Sequence, residues 1–206
     1  MKTRIFNLII LDESGSMQLI KHQAVTGVNE TIQAIRTTQK QYEEQEHIVS
    51  LVTFNSDAIK HIYNKEPVGG IKEISDADYL PSSRTPLYDA MGHALNDLRL
   101  YVSDKDKVLV TIITDGCEND SREYNGKAIK ALVEDLKTKE WIFTYIGANQ
   151  DVEKAASTIA VNNVMAFQTT DNGIERMFHE ERQARARWYT RISKGEDNAQ
   201  DPFFED

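Results

Sequence analysis

The sequence predicts an α/β chain: a doubly wound, mostly parallel six-stranded sheet with one antiparallel edge strand and helices on both faces. Three observations predict it. Short aliphatic and β-branched runs, the mark of strands covered on both sides, recur along the chain. Segments with apolar residues every three or four positions alternate with them. One link between strands, Asn55-Ser-Asp57, is too short for a crossover and requires a hairpin.

The elements follow in order. Ile5 to Leu11 reads as the first strand, and the polar turn Asp12-Glu-Ser-Gly-Ser16 ends it. Ile20, Ala24, Val28, Ile32 and Ile35 mark a helix with one buried stripe. His47 to Phe54 is a second core strand, and Ala58 to Tyr63 is the antiparallel edge strand. Lys65 to Arg84, with two adjacent glycines and two of the chain's four prolines, reads as a loop with at most a short helical piece. Leu87, Met91, Ala94 or Leu95, Leu98 and Val102 define a helix with Pro86 in its first turn. Lys107 to Thr114 is a strand, Ala128 to Leu136 a helix, and Trp141 to Ile146 a strand. Val152 to Ile159 is a shorter helix, Val164 to Phe167 a last short strand, and Ile174 to Trp188 a stripe on a terminal helix. No linker or repeat divides residues 1–194, which read as a single domain. Residues 195–206 hold five acids and no base and read as an acidic tail beyond a helix end rich in Arg, solvated in one reading and folded back on that basic patch or offered to a partner in the other.

Composition narrows the function classes. With 24 Lys and Arg against 33 Asp and Glu, the net charge is −9, which argues against nucleic-acid wrapping. A single cysteine, Cys117, rules out an internal disulfide and any Cys-rich zinc module. The apolar stretch near the amino terminus is interrupted by Asn7 and stopped by Asp12, and no later run suits a membrane span. The expected setting is a soluble protein of the cytoplasm, with no membrane partner.

In a doubly wound sheet, ligands sit beyond the carboxyl ends of the strands. Three polar segments fall there: Asp12-Glu-Ser-Gly-Ser16, Ser82-Ser-Arg-Thr-Pro86 and Asp115-Gly-Cys-Glu-Asn-Asp120. Two readings stand side by side. Ser14, Ser16 and Thr85 are suitable helix caps, and Asp12 and Asp115 suit helix amino-terminal amides. Alternatively, the three hydroxyls and two carboxylates converge on Mg²⁺, or on Mn²⁺, since both ions take hard oxygen ligands completed by water. An ion held by so few charges still attracts a carboxylate from outside.

The sequence Ile9-Ile-Leu-Asp-Glu-Ser-Gly-Ser-Met17, together with Thr85-Pro-Leu-Tyr-Asp-Ala90 and Ile112-Ile-Thr-Asp-Gly116, resembles the von Willebrand factor A domain family, or integrin I-domain fold. The likeness runs from about Arg4 to about Glu181. It implies a metal-ion-dependent adhesion site with Asp12, Ser14 and Ser16 as first-loop ligands, Thr85 as second-loop ligand and Asp115 as third-loop ligand. It also implies Mg²⁺, with Mn²⁺ or Ca²⁺ as alternatives, and a protein partner that presents an Asp or Glu to the ion, within a multi-protein assembly. Two positions depart from the family: Ser82-Ser-Arg84 replaces the glycines common before the threonine, and Glu13 replaces a small residue. Glu13, Arg84, Tyr88 and Glu118 are expected at the rim, where they would select the partner.

Other motifs are silent. There is no Gly-x-Gly-x-x-Gly run after Leu11, no phosphate-binding Gly-Lys-Ser/Thr run and no Gly-x-Ser-x-Gly elbow. The expected function is therefore a non-enzymatic, divalent-cation-dependent protein-binding module or adaptor. The alternative is a metal-dependent hydrolase or phosphotransfer enzyme, which lacks an evident nucleophile, general base or phosphate clamp.

Overall fold

The computed structural model describes residues 2–148 and 151–204. Six strands make one sheet: β1 (Thr3–Asp12), β2 (Gln45–Phe54), β3 (Ile59–Pro67), β4 (Lys107–Thr114), β5 (Ile142–Ala148) and β6 (Asn163–Phe167). Their spatial order is β3-β2-β1-β4-β5-β6, and only the β2–β3 pairing is antiparallel. The chain builds outward from β1 to one side and then from β4 to the other. The β1/β4 seam is thus the point where strand order reverses, the usual place for a ligand crevice in such sheets.

Five helices cover the sheet: α1 (Lys21–Gln41), α2 (Leu87–Leu98), α3 (Gly126–Lys137), α4 (Val152–Thr158) and α5 (Asp171–Lys194). A 3-10 turn over Gly15–Ile20 leads into α1, so the stripe that begins at Ile20 starts at the end of that turn. Pro86 stands just before α2, at its cap, and not inside the first turn as expected.

Side chains alternate across the sheet. Ile5, Ile9, Leu11, Val49, Leu51, Leu109 and Ile113 face α1 and α5, whereas Phe6, Leu8, Ile10, Val108, Val110 and Ile112 face α2, α3 and α4. Each strand is apolar at nearly every position because both faces are covered. α1 and α5 approach closely at Gly27: a Cβ there would lie 2.1 Å from the Phe178 ring, so only glycine admits that ring.

The face toward α1 and α5 holds a polar cluster. Arg185, fully buried on α5, donates to Glu181 one turn earlier, to Asn7 Oδ1 of β1 at 2.9 Å and to Thr111 Oγ1 of β4 at 2.8 Å. Tyr189 Oη donates to the same Asn7 oxygen at 2.5 Å. The Asn that interrupts the first apolar run is therefore the docking point for an internal guanidinium.

The end of the chain departs from the expectation of a solvated tail. Phe203 is buried, its ring centroid 6.5 Å from that of Trp188, and its N–H donates to Asn163 Oδ1 at 3.0 Å. Asp197 pairs with Lys107 at 2.8 Å. Apolar contact with Trp188 and the bond to Asn163 anchor this segment to α5 and β6. Glu205 and Asp206 lie outside the described residues.

His47, buried on β2, sets a pH response. Burial first, and the Arg185 charge second, push its pKa from 6.5 down to about 4. Between those values the unfolded chain holds a proton that the native chain refuses, so stability present above pH 6.5 is lost as pH falls toward 4. The loss amounts to about 3 kcal/mol. His47→Phe keeps the edge-on ring packing against Tyr189. Urea unfolding at pH 7 and pH 4.5 should show a smaller acid loss in this variant than in wild type; equal losses would refute the assignment.

Candidate metal centre

Asp12 ends β1, and Asp115 directly follows β4. Their strands are neighbours in register, which carries both carboxylates to the same edge of the seam. The first loop folds on its own acid: the Ser14 N–H donates to Asp12 Oδ1 at 2.7 Å. Thr114 Oγ1, opposite on β4, donates to Asp12 Oδ2 at 2.5 Å. Tyr79 reaches over from the long loop and donates its hydroxyl to the Asp12 carbonyl. Ser14 Oγ and Ser16 Oγ lie 3.2 Å apart, and Ser16 Oγ donates to Asp115 Oδ1 at 2.6 Å.

Backbone bonds hold the loops together. The Gly15 N–H donates to Ser83 O at 3.1 Å and the Ser82 N–H to Glu13 O at 2.9 Å, joining the first loop to the second. The Thr85 N–H donates to Asn119 Oδ1 and the Asn119 N–H to Thr85 O, joining the second to the third. Thr85 Oγ1 is 3.4 Å and Ser16 Oγ 3.9 Å from where a Gly116 Cβ would stand. The missing side chain at Gly116 thus keeps open the space into which both hydroxyls point. Asp12, Ser14, Ser16, Thr85 and Asp115 all meet at this edge.

The capping reading fails for the hydroxyls. Ser14 precedes the 3-10 turn but makes no side-chain cap bond, and the cap of α2 is Pro86, not Thr85. Ser16 Oγ bonds the Asp115 carboxylate, and Ser14 Oγ lies against Ser16 Oγ and not on a helix amide.

Both acids bear an electrostatic cost. The pKa of Asp12 is raised from 3.8 to about 6, chiefly by burial, with the Thr114 and Ser14 hydrogen bonds opposing and the Asp115 charge adding least. Burial also raises that of Asp115, against the Ser16 hydrogen bond. Desolvation, more than mutual repulsion, is therefore the strain that a cation would relieve. Asp115 Oδ2 is buried and has no hydrogen-bond partner. A buried carboxylate oxygen left without a donor, beside three hydroxyls, fits a hard divalent ion. Among the described residues no group of three or more His, Cys, Asp and Glu side chains is placed to hold a metal ion, which sets this hydroxyl-rich arrangement apart from a zinc-type centre.

The rim differs from expectation. Glu13 is wholly buried, not at the surface: its carboxylate accepts from the Leu80 N–H at 2.6 Å and pairs with Lys60 of β3 at 3.3 Å. Glu118 likewise turns inward, accepting from the N–H groups of Tyr88, Asp120 and Ser121 and from the Ser121 hydroxyl. Glu13 is thus shut off from a partner, whereas Glu118 stays half-buried. Arg84 does project outward, its side chain 72% exposed and 3.7 Å from Asp120. Cys117 is exposed. His93 pairs with Glu123 on the side of α2, away from the ligand set. Sequence reasoning missed Asp89, whose carboxylate accepts from the N–H groups of Arg122, Glu123 and Tyr124 and so folds the third loop over α2. A carboxylate in the first turn of a helix was its only signal, and many helices show that.

A profile of the von Willebrand factor type A domain matches residues 8–184. The chain belongs to this family. Among solved structures it is similar to proximal thread matrix protein 1 from the mussel byssus, at 14% identity and a TM-score of 0.59, covering 89% of this chain and 46% of that one. It is also similar to a von Willebrand factor type A protein from Catenulispora acidiphila, at 13% identity and a TM-score of 0.57, covering 87% and 42%. A third likeness is to the pilus adhesin SpaC from Lactobacillus rhamnosus GG, at 12% identity and a TM-score of 0.65, covering 90% and 30%. At such identities the likeness is one of fold, and this chain spans less than half the length of each of these three. A search of curated proteins finds no match. Domains of this family are generally protein-interaction modules, and among the described residues no helix is long and apolar enough to cross a membrane.

Proposed function

We propose that this von Willebrand factor type A chain is a divalent-cation-dependent protein-binding module, an adaptor whose ion takes a carboxylate from a partner's Asp or Glu. Asp12, Ser14, Ser16, Thr85 and Asp115 would hold the ion, Mg²⁺ first and Mn²⁺ or Ca²⁺ as alternatives. The observation that carries this reading is the buried Asp115 Oδ2 without a donor, placed among three hydroxyls at the strand-order reversal.

With only two carboxylates in the set, a bound divalent ion is not over-neutralised, so an outside carboxylate completes it favourably. Non-enzymatic action accords with the family. The cytoplasm remains the proposed setting, within a multi-protein assembly and without nucleic acid or membrane.

The test is capture from a lysate of the source cell on immobilised chain. Partners held in Mg²⁺ should be released by EDTA and absent from Asp115→Ala; retention in both conditions would overturn the ion-bridged mechanism.

A further inference from the structure

The turn between β2 and β3 is bonded along its whole length to the second loop. Asn55 Nδ2 donates to Ser82 Oγ at 3.1 Å. The Arg84 N–H donates to Ser56 Oγ and the Ser56 N–H to Arg84 O, both at 3.1 Å. Asp57 Oδ2 accepts from Ser83 Oγ at 2.7 Å and from Ser82 Oγ at 3.4 Å. Resting on the ion-bridged reading above, we infer that Asp57 is a positioning residue for the ion. It holds Ser83, and through Ser83 it sets Thr85 among the proposed ligands.

Three features carry the inference. The first is the backbone of Ser83. Its φ is +61°, in the left-handed region that glycine enters freely and a side chain does not. Such a conformation persists only where the surroundings hold it. The Asp57 carboxylate is the group that holds the Ser83 hydroxyl.

The second is what Ser83 connects. Its carbonyl accepts from the Gly15 N–H at 3.1 Å, between Ser14 and Ser16 of the first loop. Thr85, buried, stands two residues further on. A rotation at Ser83 therefore disturbs the link to the first loop and the aim of the Thr85 hydroxyl together.

The third is that Asp57 is itself fixed. Asn55, buried, accepts at Oδ1 from the Asp57 N–H at 2.9 Å and from the Ala58 N–H at 3.0 Å. Asn55 Nδ2 also lies 3.3 Å from Glu13 O, which ties the turn to the first loop as well. Asp57 is exposed, so it can be replaced without opening the core. An ion that needs the second loop in one conformation binds with an apparent affinity set by the fraction of chains in it. Without Asp57 that fraction falls.

The experiment measures the Kd for Mn²⁺ well below the melting midpoint of each variant, so that global stability does not enter. Asp57→Ala should weaken binding about fivefold, the size expected for one charge-assisted hydrogen bond near the surface. Asp57→Asn keeps an acceptor oxygen for Ser83 and should bind as wild type does. Asp57→Ala combined with Ser83→Gly should recover most of the loss, because glycine takes the left-handed conformation unaided. Wild-type affinity in Asp57→Ala would overturn the positioning role and leave the ion-bridged reading intact. So would an asparagine variant as weak as the alanine one, which would trace the effect to charge alone, or a double variant that recovers nothing. No saturable Mn²⁺ uptake by wild type would overturn the ion-bridged reading, and the positioning role with it.

Discussion

In EDTA at pH 7, Asp12→Asn should melt above wild type, and it should gain nothing when Mg²⁺ is added. The Asp12 carboxyl is buried with its pKa raised from 3.8 to about 6. Its stabilising contribution is thus complete only below pH 3.8 and is lost as pH rises through about 6, so at neutral pH the ionised group is a net cost. Two units correspond to about 3 kcal/mol at most. An amide removes that charge while keeping the local bonds: its oxygen still accepts from the Ser14 N–H, and its nitrogen can donate to Thr114 Oγ1. That hydroxyl has Gly116 O at 3.0 Å as an alternative acceptor. A rise on the order of 5 °C follows for a chain of this size. Wild type, in contrast, should gain stability with Mg²⁺, because an ion that binds only the native state raises its apparent stability. A variant that melts lower than wild type in EDTA would show that Asp12 serves local structure and is not held at a cost for an ion.

The second large effect lies within the core. Arg185→Met should cost about 3–5 kcal/mol in urea unfolding, because it leaves Glu181 buried and charged with no partner. One of its oxygens, Glu181 Oε2, already lacks a donor, and Asn7 Oδ1 and Thr111 Oγ1 would lose the guanidinium as well. Adding Glu181→Leu should recover much of the loss, since an apolar pair of similar volume removes both desolvation costs. Tyr189 still donates to Asn7 in the double variant, which limits what remains unsatisfied. If the double variant is as unstable as the single one, Arg185 acts through Asn7 and Thr111 and not through Glu181.

Much of this was legible in the sequence because it depends on short-range pattern. The order of strands and helices follows from apolar period, and the hairpin follows from the length of Asn55-Ser-Asp57. The five proposed ligands were legible because two strand ends finish in short polar runs and a third polar run, Ser82–Pro86, opens α2, and a sheet of this type brings those segments to one edge. What the sequence concealed depends on pairs distant along the chain. Asn7 and Arg185 are 178 residues apart, and nothing local marks either as internal. Glu13 resembles a surface acid until Lys60 and the Leu80 N–H are placed over it. Phe203 lies among acids and asparagine, so composition hides an anchor whose contacts are with Trp188 and Asn163.

Direct Mn²⁺ binding tests the five-residue site most plainly, measured by the loss of the free-ion paramagnetic resonance signal as the chain is titrated in. Wild type should take up one ion per chain with a saturable curve, and Asp12→Asn and Asp115→Ala should take up none at the same concentrations. Uptake by those variants equal to wild type, or no saturable uptake by wild type, would contradict a cation centre at the β1/β4 seam.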